Sequence, residues 1–276
     1  MNDGERLDVL LVKRGLVPSR TRAQESIAAG LVTVDGVRAE KPSQRCRLDA
    51  DIQIQGELYP YVGRGGLKLA HALRSFGLRP VGVVALDVGA STGGFTDCLL
   101  QNGAAKVYAV DVGADQLAPA LRSDPRVIVR ERTNARRLTR DQVPEPVEFA
   151  TIDVSFISLG KLWPAIVPLL AEGATVIALV KPQFEVGPGQ VGRGGIVRSP
   201  RAHAVALAAA IRAATAAGLT LCGLTYSPVR GGDGNIEFLL YLTRGGNGLP
   251  ERDLAALIEQ TVAAAHRALK PGRQRD

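Results

Sequence analysis

The stretch Leu86-Asp87-Val88-Gly89-Ala90-Ser91-Thr92-Gly93-Gly94-Phe95-Thr96 decides how this chain is read. An apolar run ends in an acid, crosses a turn with glycines at 89, 93 and 94, and enters a segment with helical spacing. Strand, tight turn and helix in that order let backbone approach a ligand closely at the carboxyl end of the strand, where open α/β sheets bind nucleotide cofactors. One glycine-rich turn is weak evidence alone, because any tight βα turn needs glycine. Working outward, apolar runs recur at residues 83–87, 106–111, 126–130, 147–153, 174–180, 219–225 and 236–242, with helix-patterned segments between them. The alternation predicts an α/β fold whose mostly parallel sheet is covered on both faces.

Asp111 strengthens the cofactor reading. It closes the second strand, where an acid accepts hydrogen bonds from ribose hydroxyls. A dinucleotide dehydrogenase would share this acid, but its turn requires Gly-x-Gly-x-x-Gly for a pyrophosphate. Here Ser91 stands at the middle glycine position and Asp87 precedes the turn. A carboxylate there repels pyrophosphate and suits the ammonium end of an amino-acid-bearing cofactor, so S-adenosylmethionine fits better than NAD(P).

Other charged residues meet the same edge. Asp153 ends one apolar run in Thr151-Ile152-Asp153-Val154-Ser155-Phe156-Ile157-Ser158, and Lys181 ends another in Ala178-Leu179-Val180-Lys181-Pro182-Gln183-Phe184. Glu237 lies in Gly234-Asn235-Ile236-Glu237-Phe238, and Lys68 in Arg64-Gly65-Gly66-Leu67-Lys68-Leu69. Taken singly, Asp153 and Lys181 also fit a helix cap or a snorkelling surface charge.

Residues 1–60 read as a separate domain, with the remainder, 61–276, as the α/β domain. A helix is expected from residue 7 to 14, a turn through Gly15 to Pro18, and a second helix from 20 to 29 that Ser19 would cap and Gly30 would end. Asp35-Gly36 reads as a hairpin turn, and Ile52-Gln53-Ile54 as a further short strand. Lys13, Arg14, Arg20 and Arg22 gather at one helix-turn-helix corner, a surface suited to phosphates. The bland alternative is a solvated charged face.

Composition agrees without deciding. A chain of 276 residues with 46% hydrophobic content buries one substantial core and carries a smaller domain beside it. Lys and Arg number 34 against 27 Asp and Glu, a net charge of +7 that favours polyanionic partners without demanding them. Cys46, Cys98 and Cys222 are scattered and lack metal-ligand spacing, which predicts reduced thiols, a cytoplasmic location and no bound metal. The polar start lacks a signal core, and the longest apolar stretch, 202–224, is broken by Arg212 and Gly218. It suits a buried helix followed by a strand, and no membrane association is expected. His71, His203 and His266 lack a partner pattern and are given no catalytic role.

The motifs carry a family resemblance. Leu7-Asp8-Val9-Leu10-Leu11, Ser19-Arg20-Thr21-Arg22-Ala23 and Gly30-Leu31-Val32-Thr33-Val34-Asp35-Gly36 together resemble the S4 RNA-binding domain. Lys68, Asp153, Lys181 and Glu237 resemble the Lys-Asp-Lys-Glu tetrad of FtsJ-type ribose 2′-O-methyltransferases. With Glu131-Arg132-Thr133-Asn134-Ala135-Arg136 and Val180-Lys181-Pro182-Gln183-Phe184-Glu185, nearly the whole chain resembles the TlyA family, in which an S4 domain precedes an FtsJ-like methyltransferase acting on ribosomal RNA cytidines. It departs at Gly63, where Ser is usual, and its linker Tyr59-Pro60-Tyr61-Val62 lacks the Arg and Trp of some members.

The resemblance implies a class I methyltransferase with a seven-stranded sheet, S-adenosylmethionine as cofactor and ribosomal RNA or ribosomal subunits as partner. It places Asp87, Gly89, Ser91, Gly93, Gly94 and Phe95 at the methionine and sulfonium end, Asp111 at the ribose, and Thr133 and Asn134 near the adenine. Lys68, Asp153, Lys181 and Glu237 would surround the target hydroxyl. Lys181 then acts either as a neutral base or as an ammonium stabilising the developing alkoxide. Competing readings are an NAD(P)-dependent oxidoreductase, disfavoured by the turn, and a non-catalytic RNA-binding assembly factor, disfavoured by the intact tetrad. A cytolysin, which the family's haemolysin label suggests, is disfavoured by the lack of a spanning segment.

Overall fold

The computed structural model describes residues 4–56 and 58–269. Two units separate within the chain, Met1–Pro60 and Tyr61–Asp276. In the first, β1 (Gly4–Arg6) leads into α1 (Leu7–Lys13) and α2 (Arg20–Ala28), followed by β2 (Val32–Val34), β3 (Val37–Arg38), β4 (Arg45–Arg47) and β5 (Ile52–Ile54). Ser19 Oγ accepts the Arg22 N–H at 3.2 Å, the expected cap. The helix closes when Leu31 N–H donates to the Ser26 carbonyl at 3.0 Å. Leu7, Leu10, Leu11, Ala23, Ile27 and Val32 form this unit's own core. The pairing of β1 with β4, Glu5 opposite Cys46, went unread in the sequence because these short, arginine-rich segments carry no apolar alternation.

The second unit runs α3 (Gly65–Phe76), β6 (Val84–Val88), α4 (Gly94–Gln101), β7 (Lys106–Val110), α5 (Pro119–Arg122), β8 (Val127–Arg130), β9 (Val147–Ile152), α6 (Trp163–Ile166), β10 (Leu170–Val180), α7 (Pro182–Glu185), α8 (Pro200–Ala216), β11 (Leu219–Tyr226), β12 (Phe238–Arg244) and α9 (Glu251–Ala268). The strands form one seven-stranded sheet in the order β11-β12-β10-β9-β6-β7-β8. Only β12 runs against its neighbours. Side chains alternate across β10. Ile177 and Leu179 pack with Leu69, Phe95 and Leu99, whereas Val176, Ala178 and Val180 pack with Trp163, Leu207 and Val262. This period of two buries both faces of the sheet.

Strand ends set the site. Val88 lies opposite Ile152, Ile152 opposite Ala178, and Val180 opposite Phe238. The carboxyl ends of β6, β9 and β10 therefore share an edge with the start of the inverted β12. The apolar stretch at 202–224 resolves into nearly all of α8 and most of β11, as its breaks predict. Helix α9, whose helix-like pattern around His266 the sequence showed, gives a histidine a partner. His203 Nε2–H donates to the Val197 carbonyl, 3.1 Å away, so its Nδ1 accepts from His266 Nε2–H at 2.9 Å. Burial and the neighbouring His266 push His203 down to about 4. Cys46, Cys98 and Cys222 are free thiols. Among the described residues no helix is long and apolar enough to cross a membrane.

Candidate active site

The turn after β6 is shaped by contacts that leave no room for side chains. Gly89 has φ +85°, and a Cβ there would lie 2.3 Å from the Asp153 carbonyl oxygen. Gly93, φ +97°, would drive a Cβ to 2.2 Å from Leu121 Cδ1. Both positions require glycine, for conformation and for space. Gly94 opens α4 directly after this turn.

Ser91, itself at φ +49°, donates its backbone N–H to Asp111 Oδ2 at 2.7 Å, and Gly113 donates to Oδ1 at 2.7 Å. Each Asp111 oxygen keeps acceptor capacity for a ribose hydroxyl. Thr133 N–H donates to the Asp111 carbonyl at 2.9 Å, which brings the 131–134 segment beside the acid. Asn134 turns its Oδ1 to the Arg136 N–H at 3.0 Å and caps a short turn. Glu131, unread in the sequence, gathers the N–H groups of Asp115, Gln116 and Leu117. The Arg122 guanidinium first, then those N–H groups, overcome burial and bring its carboxyl down to about 2.

Two expected lining residues lie elsewhere. Asp87 is wholly buried, with Thr96 Oγ1 donating to Oδ2 at 2.7 Å and Thr151 Oγ1 donating to Oδ1 at 2.9 Å. It braces the turn from beneath instead of standing at its mouth. Burial, against the two hydroxyls, raises its carboxyl to about 6. Phe95 packs into the core with Leu69, Leu73 and Cys98, because the first helical turn points its ring inward. Only its backbone remains available to a ligand.

The four charged residues do assemble. Lys68 projects from α3, Asp153 and Lys181 follow β9 and β10, and Glu237 precedes β12. Lys68 Nζ lies 2.6 Å from Glu237 Oε2 and 3.8 Å from Asp153 Oδ2, and Lys181 Nζ lies 2.7 Å from Asp153 Oδ1. Burial opposes the charge on Lys68, but Asp153 and Glu237 outweigh it and hold the amine above its ordinary value. Burial likewise opposes the Asp153 carboxylate, yet Lys68 and Lys181 keep it below the usual range. The 2.7 and 2.6 Å approaches are close ion pairs that draw each lysine onto a carboxylate oxygen. Two residues of the adjoining loop complete the site and had no assigned role in the sequence. Ser155 Oγ accepts from Lys181 Nζ at 2.9 Å, and Phe156, at φ +66° and 90% exposed, packs its ring 5.3 Å from that of Phe184. The signal for both was the motif Asp-x-Ser-Phe, which periodicity does not interpret. Among the described residues no group of three or more His, Cys, Asp or Glu is placed to hold a metal ion.

The basic corner of the first unit is more committed than its sequence suggests. Arg14 donates to the Ala50 carbonyl at 2.6 Å and the Leu48 carbonyl at 2.5 Å, a surface strap onto the 48–50 segment. Lys13 pairs with Glu5. Arg20 and Arg6 meet the buried Asp8 at 2.9 and 3.0 Å, and the Arg22 guanidinium lies 3.8 Å over the Tyr59 ring. Arg20 and Arg22 lie on the first turn of α2, and Arg14, though exposed, gives donors to backbone carbonyls.

The sheet order, the glycine turn with its acid, and the tetrad at the shared edge define a class I methyltransferase, whose cofactor is S-adenosylmethionine. Family models agree, with an FtsJ-like methyltransferase matching residues 61–244 and an S4 domain matching residues 5–52. The 16S/23S rRNA (cytidine-2'-O)-methyltransferase TlyA of Mycobacterium tuberculosis is 43% identical over 268 residues, covering 97% of this chain and 98% of that protein. Hemolysin A of Brachyspira hyodysenteriae is 39% identical over 237 residues, covering 86% of this chain and 98% of its own. A solved Streptococcus thermophilus structure labelled a hemolysin shares 43% identity with a TM-score of 0.78, covering 98% of both chains. The chain belongs to the TlyA family, an S4 domain joined to an FtsJ-like methyltransferase.

Proposed function

We propose that this protein transfers the methyl group of S-adenosylmethionine to the 2′-hydroxyl of a cytidine in ribosomal RNA. The observation that carries the reading is the tetrad itself: Lys181 Nζ stands 2.7 Å from Asp153 Oδ1, beside the turn where Gly89 meets the Asp153 backbone. Asp111, the 89–94 turn and the segment bearing Thr133 and Asn134 would hold the cofactor. Bound there, it supplies an activated sulfonium methyl. The residues must then align the hydroxyl and manage its proton. Asp153 and Glu237 pair with the two lysines, Lys68 remains an ammonium between them, and Lys181 faces the hydroxyl as base or as charge stabiliser. Exposed Phe156 offers a stacking face for a base drawn out of its helix.

The S4 unit would bring the ribosomal subunit, with Arg20 and Arg22 among its contacts. We infer a cytoplasmic location from the free thiols and the ribosomal substrate. Incubating the protein with labelled S-adenosylmethionine and ribosomal subunits, then mapping ribose methylation, tests the reading. Label on a cytidine ribose is expected. Label only on a base, or on no RNA, overturns it.

A further inference from the structure

The two lysines of the tetrad are held differently. Lys68 has charged partners, the Glu237 and Asp153 carboxylates, and its side chain is 8% exposed. Lys181 has one carboxylate neighbour and one uncharged partner, Ser155 Oγ at 2.9 Å. The ion pair with Asp153 Oδ1 at 2.7 Å is joined by a hydrogen bond from Nζ to Ser155 Oγ, a second, fixed direction. A lysine amine is a flexible point charge that an ion pair attracts without orienting.

We propose that Ser155 is the positioning residue of Lys181, fixing the amine so that its remaining direction faces the reacting hydroxyl. Four groups surround a tetrahedral nitrogen: its own Cε, the Asp153 side, the Ser155 oxygen and the incoming oxygen. With Ser155 in place the last direction is set before substrate arrives. A free surface hydroxyl would contribute little of this, but the loop that carries Ser155 is tied to the segment that carries Lys181. Glu185 Oε1 accepts the Leu159 N–H at 2.8 Å, Glu185 Oε2 accepts from Ser158 Oγ at 2.7 Å, and Phe156 packs on Phe184. Lys181 and Ser155 thus belong to two segments cross-braced within a few residues of their contact. Pre-organisation of this kind acts on the chemical step, where a small misplacement of a reacting group costs rate.

The inference rests on the methyltransfer reading, and the experiment separates the two. Single-turnover transfer to ribosomal subunits, at saturating cofactor and RNA, is measured for Ser155→Ala, Ser155→Thr and Lys181→Ala, with cofactor and subunit affinities measured alongside. Ser155→Ala should slow transfer by about tenfold at unchanged affinities, and Ser155→Thr, which keeps the hydroxyl, should recover to within about threefold of the parent. The proposal is overturned if Ser155→Ala transfers at the parent rate. It is also overturned if Ser155→Thr is as slow as Ser155→Ala, or if the loss lies in affinity for either ligand. Slow Lys181→Ala beside unaffected Ser155→Ala removes the Ser155 role alone. Unaffected Lys181→Ala removes the underlying reading.

Discussion

Asp111 accepts the Ser91 backbone N–H at 2.7 Å, so the acid that ends β7 also fastens the turn that follows β6. Replacing it by Ala removes a ribose acceptor and releases the N–H groups of Ser91 and Gly113 together. Cofactor affinity should fall by about 10- to 100-fold, the worth of hydrogen bonds to a charged group. RNA affinity should hold. Calorimetry with S-adenosylmethionine checks the first, and subunit binding the second.

Lys181→Ala should slow methyl transfer by about 10²- to 10⁴-fold, the usual reach of a positioned acid, base or charge. Lys181→Arg separates the two roles, because a guanidinium keeps the charge but cannot accept a proton near neutrality. Substantial activity in the Arg variant assigns charge stabilisation, and its loss assigns proton abstraction. Single-turnover rates at saturating cofactor make the comparison.

Asp87 makes stability depend on pH in an unusual direction. Its folded carboxyl is raised by burial to about 6, above its ordinary 3.8. Below the lower value both states are protonated and the group contributes nothing. Between the two values only the folded state holds the proton, so stability falls as pH rises, and above 6 the full cost of burying the anion remains. That cost amounts to roughly 3 kcal/mol. Asp87→Asn should lack this downward slope. The difference between parent and variant in denaturant midpoints from pH 4 to pH 7 isolates it, and identical profiles would refute the assignment.

The basic corner predicts a contrast between neighbours. Arg14→Ala leaves the Leu48 and Ala50 carbonyls without their donor and should cost the first unit about 1–2 kcal/mol, with little change in the salt dependence of RNA binding. Arg20→Gln with Arg22→Gln should weaken RNA binding and reduce the slope of log affinity against log salt by about 1–2. Thermal melts and salt titrations distinguish the two outcomes.

Much of this was legible in residue order. Apolar runs alternating with helical patterns located the sheet, and Asp153 and Lys181 declared themselves by ending two of those runs. Side-chain direction inside a turn was not legible. Asp87 and Phe95 flank the glycines that approach ligand, yet both point into the protein, because the turn's glycines make its surface and its neighbours make its foundation. For Arg14, sequence records the charge and not the carbonyls folded against it. Ser155 and Phe156 lie in an irregular loop with no period to read, and their roles follow from what the loop after β10 brings opposite them.

The passage of Gly89 against Asp153 bears on redesign. The segment that would seat the methyl donor lies against the backbone of Asp153, with no side chain between them. A substitution meant to enlarge the donor pocket at this turn would displace the Asp153 backbone and, through its carboxylate, Lys181. Donor fit at this turn and transfer rate are therefore mechanically coupled through the Asp153 backbone.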